Sequence, residues 1–350
     1  MLRRQYLKGS PYHLEDVLGV NLYARAQEGL LTFLLLNQAP ICDSRCRRCF
    51  MLESRRGKCS DSLCLAEYWK VIRDSRRAGM SCIELSGEGE PLLSPYLEGV
   101  IECADDCGFI TTLVTNGHAL TDATARFFFE HNVTLVVSLF SVRSESYEND
   151  NRLQGSFAKT LGNIQMAASI YREGTSVVAG STVLRMATHT TAQADNLADL
   201  PEIRALCDEL GIFCSIAPLA PVGGGQQMGS LLLDEQRSRL ATDIGHNSII
   251  LSHTSKQEIG REVCGTCLYG LNIGYEGNLL FDAHAGYEVG DLLGNVRKNP
   301  LEVLLQRQRT FTTMMFNNIG GFCPIRDRRW PEFLQGFLEE SREGQGALFG

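Results

Sequence analysis

Short apolar runs that alternate with helical stretches constrain this chain more than any other feature. Leu30–Asn37, Cys82–Ser86, Phe109–Val114, Leu135–Phe140, Val177–Leu184 and Ile212–Ala217 read as buried strands by their length and apolar character. After the first, Leu65, Trp69 and Ile72 recur at helical spacing, with Ser60-Asp61-Ser62 as a cap and Gly79 as a stop. Leu97–Cys107, Thr121–Glu130, Phe157–Arg172 and Leu197–Leu210 read as further helices. Such alternation implies parallel βα units joined by right-handed crossovers. Six strands within about 190 residues suit an open barrel, because a closed eight-stranded one takes about 250. The expected fold class is α/β: a partial (βα)6 TIM-like barrel with a small C-terminal α+β module.

The expected boundaries are an extension over residues 1–29, the barrel over 30–225, the module over 226–338 and a polar, Gly-rich tail over 339–350. The barrel ends in a turn-rich break, Pro218–Gln227, which holds Pro221 and Gly223-Gly224-Gly225. Within the module, Leu271–Tyr275, a Glu276-Gly277 turn and Asn278–Asp282 read as a hairpin.

Composition narrows the class. The chain has 350 residues, 44% hydrophobic and 21% charged, as soluble globular proteins do. No apolar run near its start is long enough to span a bilayer, and no signal core follows Met1-Leu2-Arg3-Arg4. The expectation is a cytoplasmic protein with no membrane partner. Net charge is −8, and only Arg45/Arg47/Arg48 with Arg55/Arg56/Lys58 resembles a basic patch, so nucleic acid is not expected. That run reads as a solvated face or as a dock for an acidic electron-donor protein. Thirteen cysteines, an odd number in metal-type spacings, fit reduced thiols and metal ligation better than disulfides.

The cysteines begin right after the first strand. Cys42, Cys46 and Cys49 form C-x3-C-x2-C, followed by Phe50. Three thiolates on one loop can hold three irons of a [4Fe–4S] cluster and leave the fourth open to a small molecule. A structural zinc site wants four closed ligands. Cys59 and Cys64 lie near enough in sequence that the loop alone leaves zinc open.

The loop's company resembles the radical S-adenosylmethionine (SAM) enzymes. One βα unit on, Ser86-Gly87-Glu88-Gly89-Glu90-Pro91 looks like that family's G-G-E-P motif, with Glu88 where the first glycine would stand. Thr115-Asn116-Gly117 ends the third strand like the family's T-N-G, and Ser138 lies near the end of the fourth. Asn151-Arg152-Leu153-Gln154-Gly155-Ser156-Phe157 resembles a recurrent element of unassigned role. The resemblance covers roughly residues 30–220 and implies that Cys42, Cys46 and Cys49 hold a [4Fe–4S] cluster to which SAM binds. It further implies that Gly89 and Glu90 take the SAM amino group, with Asn116, Ser138, Arg185, Ala217 and Phe50 around the rest of the cofactor. Arg185 is expected at the end of the fifth strand as a clamp for the SAM carboxylate. The working residues of such barrels sit at the carboxyl ends of the strands.

A second constellation, Cys264-Gly265-Thr266-Cys267, the hairpin, and then Cys323, resembles the auxiliary-cluster (SPASM or "twitch") module that follows many such barrels. It implies a second [4Fe–4S] cluster on Cys264, Cys267 and Cys323. Asp282 stands where the family has a cysteine, so Asp282 ligates, His284 replaces it, or that iron is open. Seven further cysteines, Cys59, Cys64, Cys82, Cys103, Cys107, Cys207 and Cys214, read as small buried hydrophobes. His118, His131 and His189 are assigned no role.

The function implied is reductive cleavage of SAM and hydrogen abstraction from a small polar substrate, such as a sugar or aminocyclitol of antibiotic biosynthesis. The outcome would be dehydrogenation, epimerisation or dehydration, with an electron donor such as flavodoxin or ferredoxin. The alternatives are a peptide-modifying maturase, a molybdopterin-type nucleotide cyclase and, outside enzymes, a non-catalytic metal scaffold. Roughly 40 residues precede Cys42, fewer than a separate peptide-recognition domain needs. The chain ends Ala347-Leu348-Phe349-Gly350 rather than in the Gly-Gly of the cyclases.

Overall fold

The computed structural model describes residues 5–8, 25, 28, 30–38, 40–51, 59–178, 181–219, 224–225, 254–255, 263–264, 270–281, 292–319 and 329–343. In chain order the strands and helices are β1 (Gln5–Leu7), β2 (Phe33–Gln38), α1 (Leu65–Arg77), β3 (Cys82–Gly87) and α2 (Leu97–Asp106). Then come β4 (Ile110–Thr115), α3 (Asp122–Glu130), β5 (Thr134–Ser138), α4 (Ser144–Asn151) and α5 (Ser156–Tyr171). The strands β6 (Ser176–Val178), β7 (Ser181–Leu184) and β8 (Met186–Ala192) lead into α6 (Leu200–Leu210) and β9 (Phe213–Pro218). The C-terminal part holds β10 (Thr254–Ser255), β11 (Val263–Cys264), β12 (Gly270–Ile273), β13 (Leu279–Leu280), α7 (Leu301–Ile319) and α8 (Trp330–Glu343).

Six strands, β2-β3-β4-β5-β8-β9, run parallel in that order and form the partial barrel. Alternation along each strand explains its burial on both faces. Leu34, Leu36, Ile83, Leu85, Leu113, Leu135, Val137 and Ile216 pack outward in the main core with the helices. Val114, Val136, Ala187 and Phe213 face the other way and close one separate apolar cluster with Leu7 and Leu184. That cluster involves the small sheet β1-β7-β6, in which β1 pairs parallel with β7.

One expectation changes here. Val177–Leu184 is not the fifth barrel strand. It divides into β6 and β7, which pair antiparallel outside the barrel, and the fifth strand is Met186–Ala192. Both segments are rich in β-branched residues, so local pattern does not separate them. The hairpin β12–β13 forms as expected and joins the barrel sheet. Gly270–Ile273 pairs parallel with Phe33–Leu36, which makes an eight-stranded sheet of the described strands.

The hairpin is fastened from several sides. Gly277 turns it with φ +87°, and its N–H bonds Gly274 O at 2.9 Å. Phe281 stacks on Trp330 and meets Phe311 edge-on, with centroids 5.2 and 5.0 Å away, which ties the hairpin end to α7 and α8. Arg297 reaches back to α1, where Nε and Nη2 bond the two carboxylate oxygens of Glu67 at 2.7 and 3.0 Å. The same guanidinium bonds Asp61 O and Ser62 O. Hydrogen bonding to Arg297 holds the Glu67 carboxyl down at about 2. The helix start lies later than the Ser60-Asp61-Ser62 expectation: Cys64 caps α1, and its N–H bonds Glu67 Oε2 at 2.7 Å. Cys64 is exposed, not a buried hydrophobe.

Among the described residues no helix is long and apolar enough to cross a membrane.

Candidate functional site

The strands β2, β3, β4 and β5 deliver their carboxyl ends to one rim, and the sequence motifs meet there. The loop of Cys42, Cys46 and Cys49 leaves β2 with all three thiols unbridged by disulfides and half-buried. Among the described residues no three His, Cys, Asp or Glu side chains converge as ligands of a single ion would. A cluster asks for no such convergence, because each thiolate meets its own iron. The loop is held by its neighbours rather than by itself.

The turn after β3 supplies the first anchor. A Cβ on Gly87 would lie 2.5 Å from Gly89 O, so the chain can fold back on itself here only with glycine. That fold puts Glu90 N on Ile41 O at 2.6 Å, next to Cys42. The Glu90 side chain is 3% exposed, and its Oε1 accepts from Leu92 N and Thr115 Oγ1. Its Oε2 accepts from Asn116 N at 2.7 Å and, among the described residues, from no second donor. Burial raises the Glu90 carboxyl above its ordinary range, against the pull of the Asn116 and Thr115 donors.

Glu88 is the residue that departs from the G-G-E-P pattern, and the structure accounts for it. Its buried carboxylate accepts the N–H of Tyr275 at 3.2 Å, so this side chain ties the β3 turn to the hairpin.

The end of β4 supplies the second anchor. Asn116 Nδ2 donates to Asp43 Oδ1 at 2.7 Å, and its Oδ1 accepts from His118 N. His118 is 3% exposed and places Nδ1 at 3.3 Å from both Ser44 Oγ and Asp43 Oδ2. The His118 hydrogen bond holds the Asp43 carboxyl below its ordinary value, though burial opposes it. His118 thus pins the residue beside Cys42, a role that no spacing in the sequence announces.

The third anchor is the segment Asn151-Arg152-Leu153. Helix α4 stops at Asn151 because Arg152 turns left-handed, with φ +53°. The last carbonyls then accept from the cysteine loop: Asn151 O from Arg45 N at 3.1 Å and Asp150 O from Arg47 N at 2.9 Å. Arg48 pairs with Asp150 and lies over the Phe140 ring. The recurrent element therefore works here as a splint for the loop.

A fourth anchor is Gly224, after β9. Gly224 N bonds Cys49 O at 2.9 Å, and a Cβ at Gly224 would collide with Arg47 O. Gly224 belongs to the stretch that also reads as a domain break, but its backbone closes on the loop.

The other expected residues divide between the rim and elsewhere. Ser138 ends β5 and pairs in register with His189, whose Nδ1 lies 3.1 Å from Ser215 Oγ on β9. Ala217 lies near the end of β9, half-buried, and Phe50 comes directly after Cys49, also half-buried. Arg185 is a correction. It precedes β8 instead of ending the fifth strand, so it sits at the opposite end of the barrel. Its Nη2 donates to Phe129 O at 2.8 Å, and its guanidinium lies over the Phe129 and Tyr171 rings. A side chain committed there cannot clamp a ligand at the rim. Of the auxiliary set, Cys264 is described only by its backbone, which pairs with Thr254. Cys267, Asp282, His284 and Cys323 lie outside the described residues.

This fold is the partial α/β barrel expected for radical SAM enzymes. It is similar to that of SuiB from Streptococcus suis bound to S-adenosylmethionine, with TM-score 0.65, 14% identity and coverage of 91% of this chain and 80% of that one. SuiB bound to the precursor peptide SuiA gives TM-score 0.60 at 15% identity, over 83% of this chain and 74% of that one. Native anSMEcpe with bound AdoMet gives TM-score 0.62 at 14% identity, over 91% of this chain and 99% of that one. No family model matches the sequence.

Proposed function

We propose that this chain is a radical SAM enzyme. The observation that carries the reading is the rim itself, where three half-buried thiols on one loop are braced from β3, β4, α4 and Gly224. The three thiols fit a [4Fe–4S] cluster that leaves one iron to SAM, as the motif resemblance implies. When bound, such a cluster supplies the electron that cleaves SAM to methionine and a 5′-deoxyadenosyl radical, which takes a hydrogen atom from the substrate.

The chain's own residues position and exclude. Gly89 and Glu90 offer a backbone turn and a buried carboxylate to the SAM ammonium group. Asn116 holds that carboxylate and the loop at once. Ser138, Ala217 and Phe50 surround the remaining parts of SAM. The apolar floor of Val114, Val136, Ala187 and Phe213 keeps water from the far side of the lumen. Cys264, Cys267 and Cys323, with Asp282 or His284, would hold a second cluster in a C-terminal module over 226–338. A flavodoxin- or ferredoxin-like donor would reduce the first cluster, in the cytoplasm.

The substrate reading we favour is a small polar molecule, such as a sugar or aminocyclitol, that is dehydrogenated, epimerised or dehydrated. A second reading, peptide modification, draws support from the comparisons: SuiB is bound to the precursor peptide SuiA, and anSMEcpe to a Cp18Cys peptide.

The test is iron and sulfide content of anaerobically purified protein against the Cys42/Cys46/Cys49→Ala triple variant, with SAM and dithionite added to both. About eight irons in the parent, about four in the variant and 5′-deoxyadenosine from the parent alone are expected. About four irons with SAM cleavage would remove the second cluster. Zinc, or no cleavage, would leave a metal scaffold as the better account.

A further inference from the structure

We propose that Asn151 donates its side-chain amide N–H to the sulfur of Cys46 when that sulfur is an iron-bound thiolate, and so raises the reduction potential of the cluster. This rests on the radical SAM reading above and adds a tuning residue to it.

The geometry leaves one group unaccounted for. Asn151 is 1% exposed, and its Oδ1 lies 3.0 Å from Cys46 Sγ, an arrangement in which the thiol is the donor. Its Nδ2 is buried and makes no hydrogen bond among the described residues. A ligating cysteine has no S–H, because the thiolate is the form that binds metal. Oδ1 against that thiolate would then set lone pair against lone pair, with Nδ2 still orphaned.

Turning the amide over removes both faults. Its oxygen and nitrogen have nearly the same shape, and only the hydrogen-bond network distinguishes them. Turned over, Nδ2 faces the Cys46 sulfur. Oδ1 moves to the side of the Tyr147 hydroxyl, which in the present orientation donates to Thr160 Oγ1 at 3.2 Å and also lies against the Asn151 amide. Thr160 Oγ1 can reverse that bond and donate to the phenol oxygen, which leaves the single phenol proton for Asn151 Oδ1. The apoprotein and the iron-bound protein therefore call for opposite orientations of the same buried amide.

The backbone fixes where the amide stands. Asn151 O and Asp150 O accept from Arg45 N and Arg47 N, the residues on either side of Cys46. The left-handed turn at Arg152 stops the helix at this residue. An N–H bonded to a cluster sulfur withdraws electron density from it and favours the reduced state, which shifts the potential upward.

The test uses the full chain, reconstituted anaerobically with iron and sulfide and without SAM. The midpoint potential is read by titration followed by electron paramagnetic resonance. Wild type should have the highest midpoint, Asn151→Leu a lower one and Asn151→Asp the lowest, because a carboxylate beside the thiolate opposes the added electron. Iron content should be equal in all three. An unchanged midpoint in an iron-replete Asn151→Leu protein would overturn the proposal.

Asn151 also holds the loop through its main-chain carbonyl, so the variants are not the only arm. Pulsed resonance of the reduced wild-type cluster, with asparagine side chains labelled with nitrogen-15, should show a nitrogen coupling that changes with the label. Its absence overturns the proposal however the variants fold. A wild-type protein that takes up no cluster would sink the radical SAM reading itself, a result distinct from either of these.

Discussion

The two ends of the barrel hold themselves together in different ways. At the carboxyl rim, Glu90, Asn116 with His118, Asn151 and Gly224 come from four separate units, and polar bonds gather them onto one loop. Inside the barrel, Leu7, Val114, Val136, Leu184, Ala187 and Phe213 simply exclude water, and at the amino end Arg185 lies across two aromatic rings. Polar bonds to backbone fix position and contribute modest net stability, whereas apolar burial stabilises strongly and fixes position loosely. Damage at the rim should therefore cost metal and cofactor binding, and damage at the floor should cost stability.

Substitutions at each end can break that contrast. Gly224→Ala forces a Cβ onto Arg47 O, so iron loading should fall by about tenfold or more with little change in thermal midpoint, a split that a purely structural loop would not give. Phe213→Ala should lower stability by about 3–5 kcal/mol in chemical denaturation and leave iron per folded chain unchanged. Glu90→Gln should destabilise by about 1–3 kcal/mol, because an amide cannot accept from all its present donors, and should weaken SAM binding measured by calorimetry. Arg185→Ala should leave SAM affinity unaltered and cost about 1 kcal/mol. An altered affinity would restore Arg185 to the site.

The smallest effect concerns pH. Glu67 has its folded pKa depressed to about 2, below its ordinary 4.5, so its contribution is full above about 4.5 and is lost as pH falls toward 2. Arg297→Ala should flatten acid unfolding curves across that window, and the pair's surface position keeps the effect to about 1 kcal/mol or less.

Much of the fold is legible in the sequence because each βα unit is written locally. Phe33–Gln38, Cys82–Gly87, Ile110–Thr115 and Phe213–Pro218 lie within a few residues of where apolar runs place them. The errors arise where local pattern is silent. Val177–Leu184 and Met186–Ala192 are both strand-like, and only pairing partners decide which enters the barrel. The pairing of Gly270 with Phe33 joins segments far apart in the chain and leaves no local mark. The motif residues are legible one by one, whereas His118, Asn151 and Gly224 act through contacts between units and become visible only in three dimensions.

One turn after β3 carries two carboxylates with different clients. Glu90 serves the rim, and Glu88 accepts from Tyr275 of the hairpin. A chain shortened to end after β9 would leave the β2 edge unpaired and take from Glu88 its Tyr275 donor. The barrel and the β12–β13 hairpin are thus mechanically one inheritance: neither can be exchanged for a foreign counterpart unless the turn that carries the two carboxylates is rewritten as well.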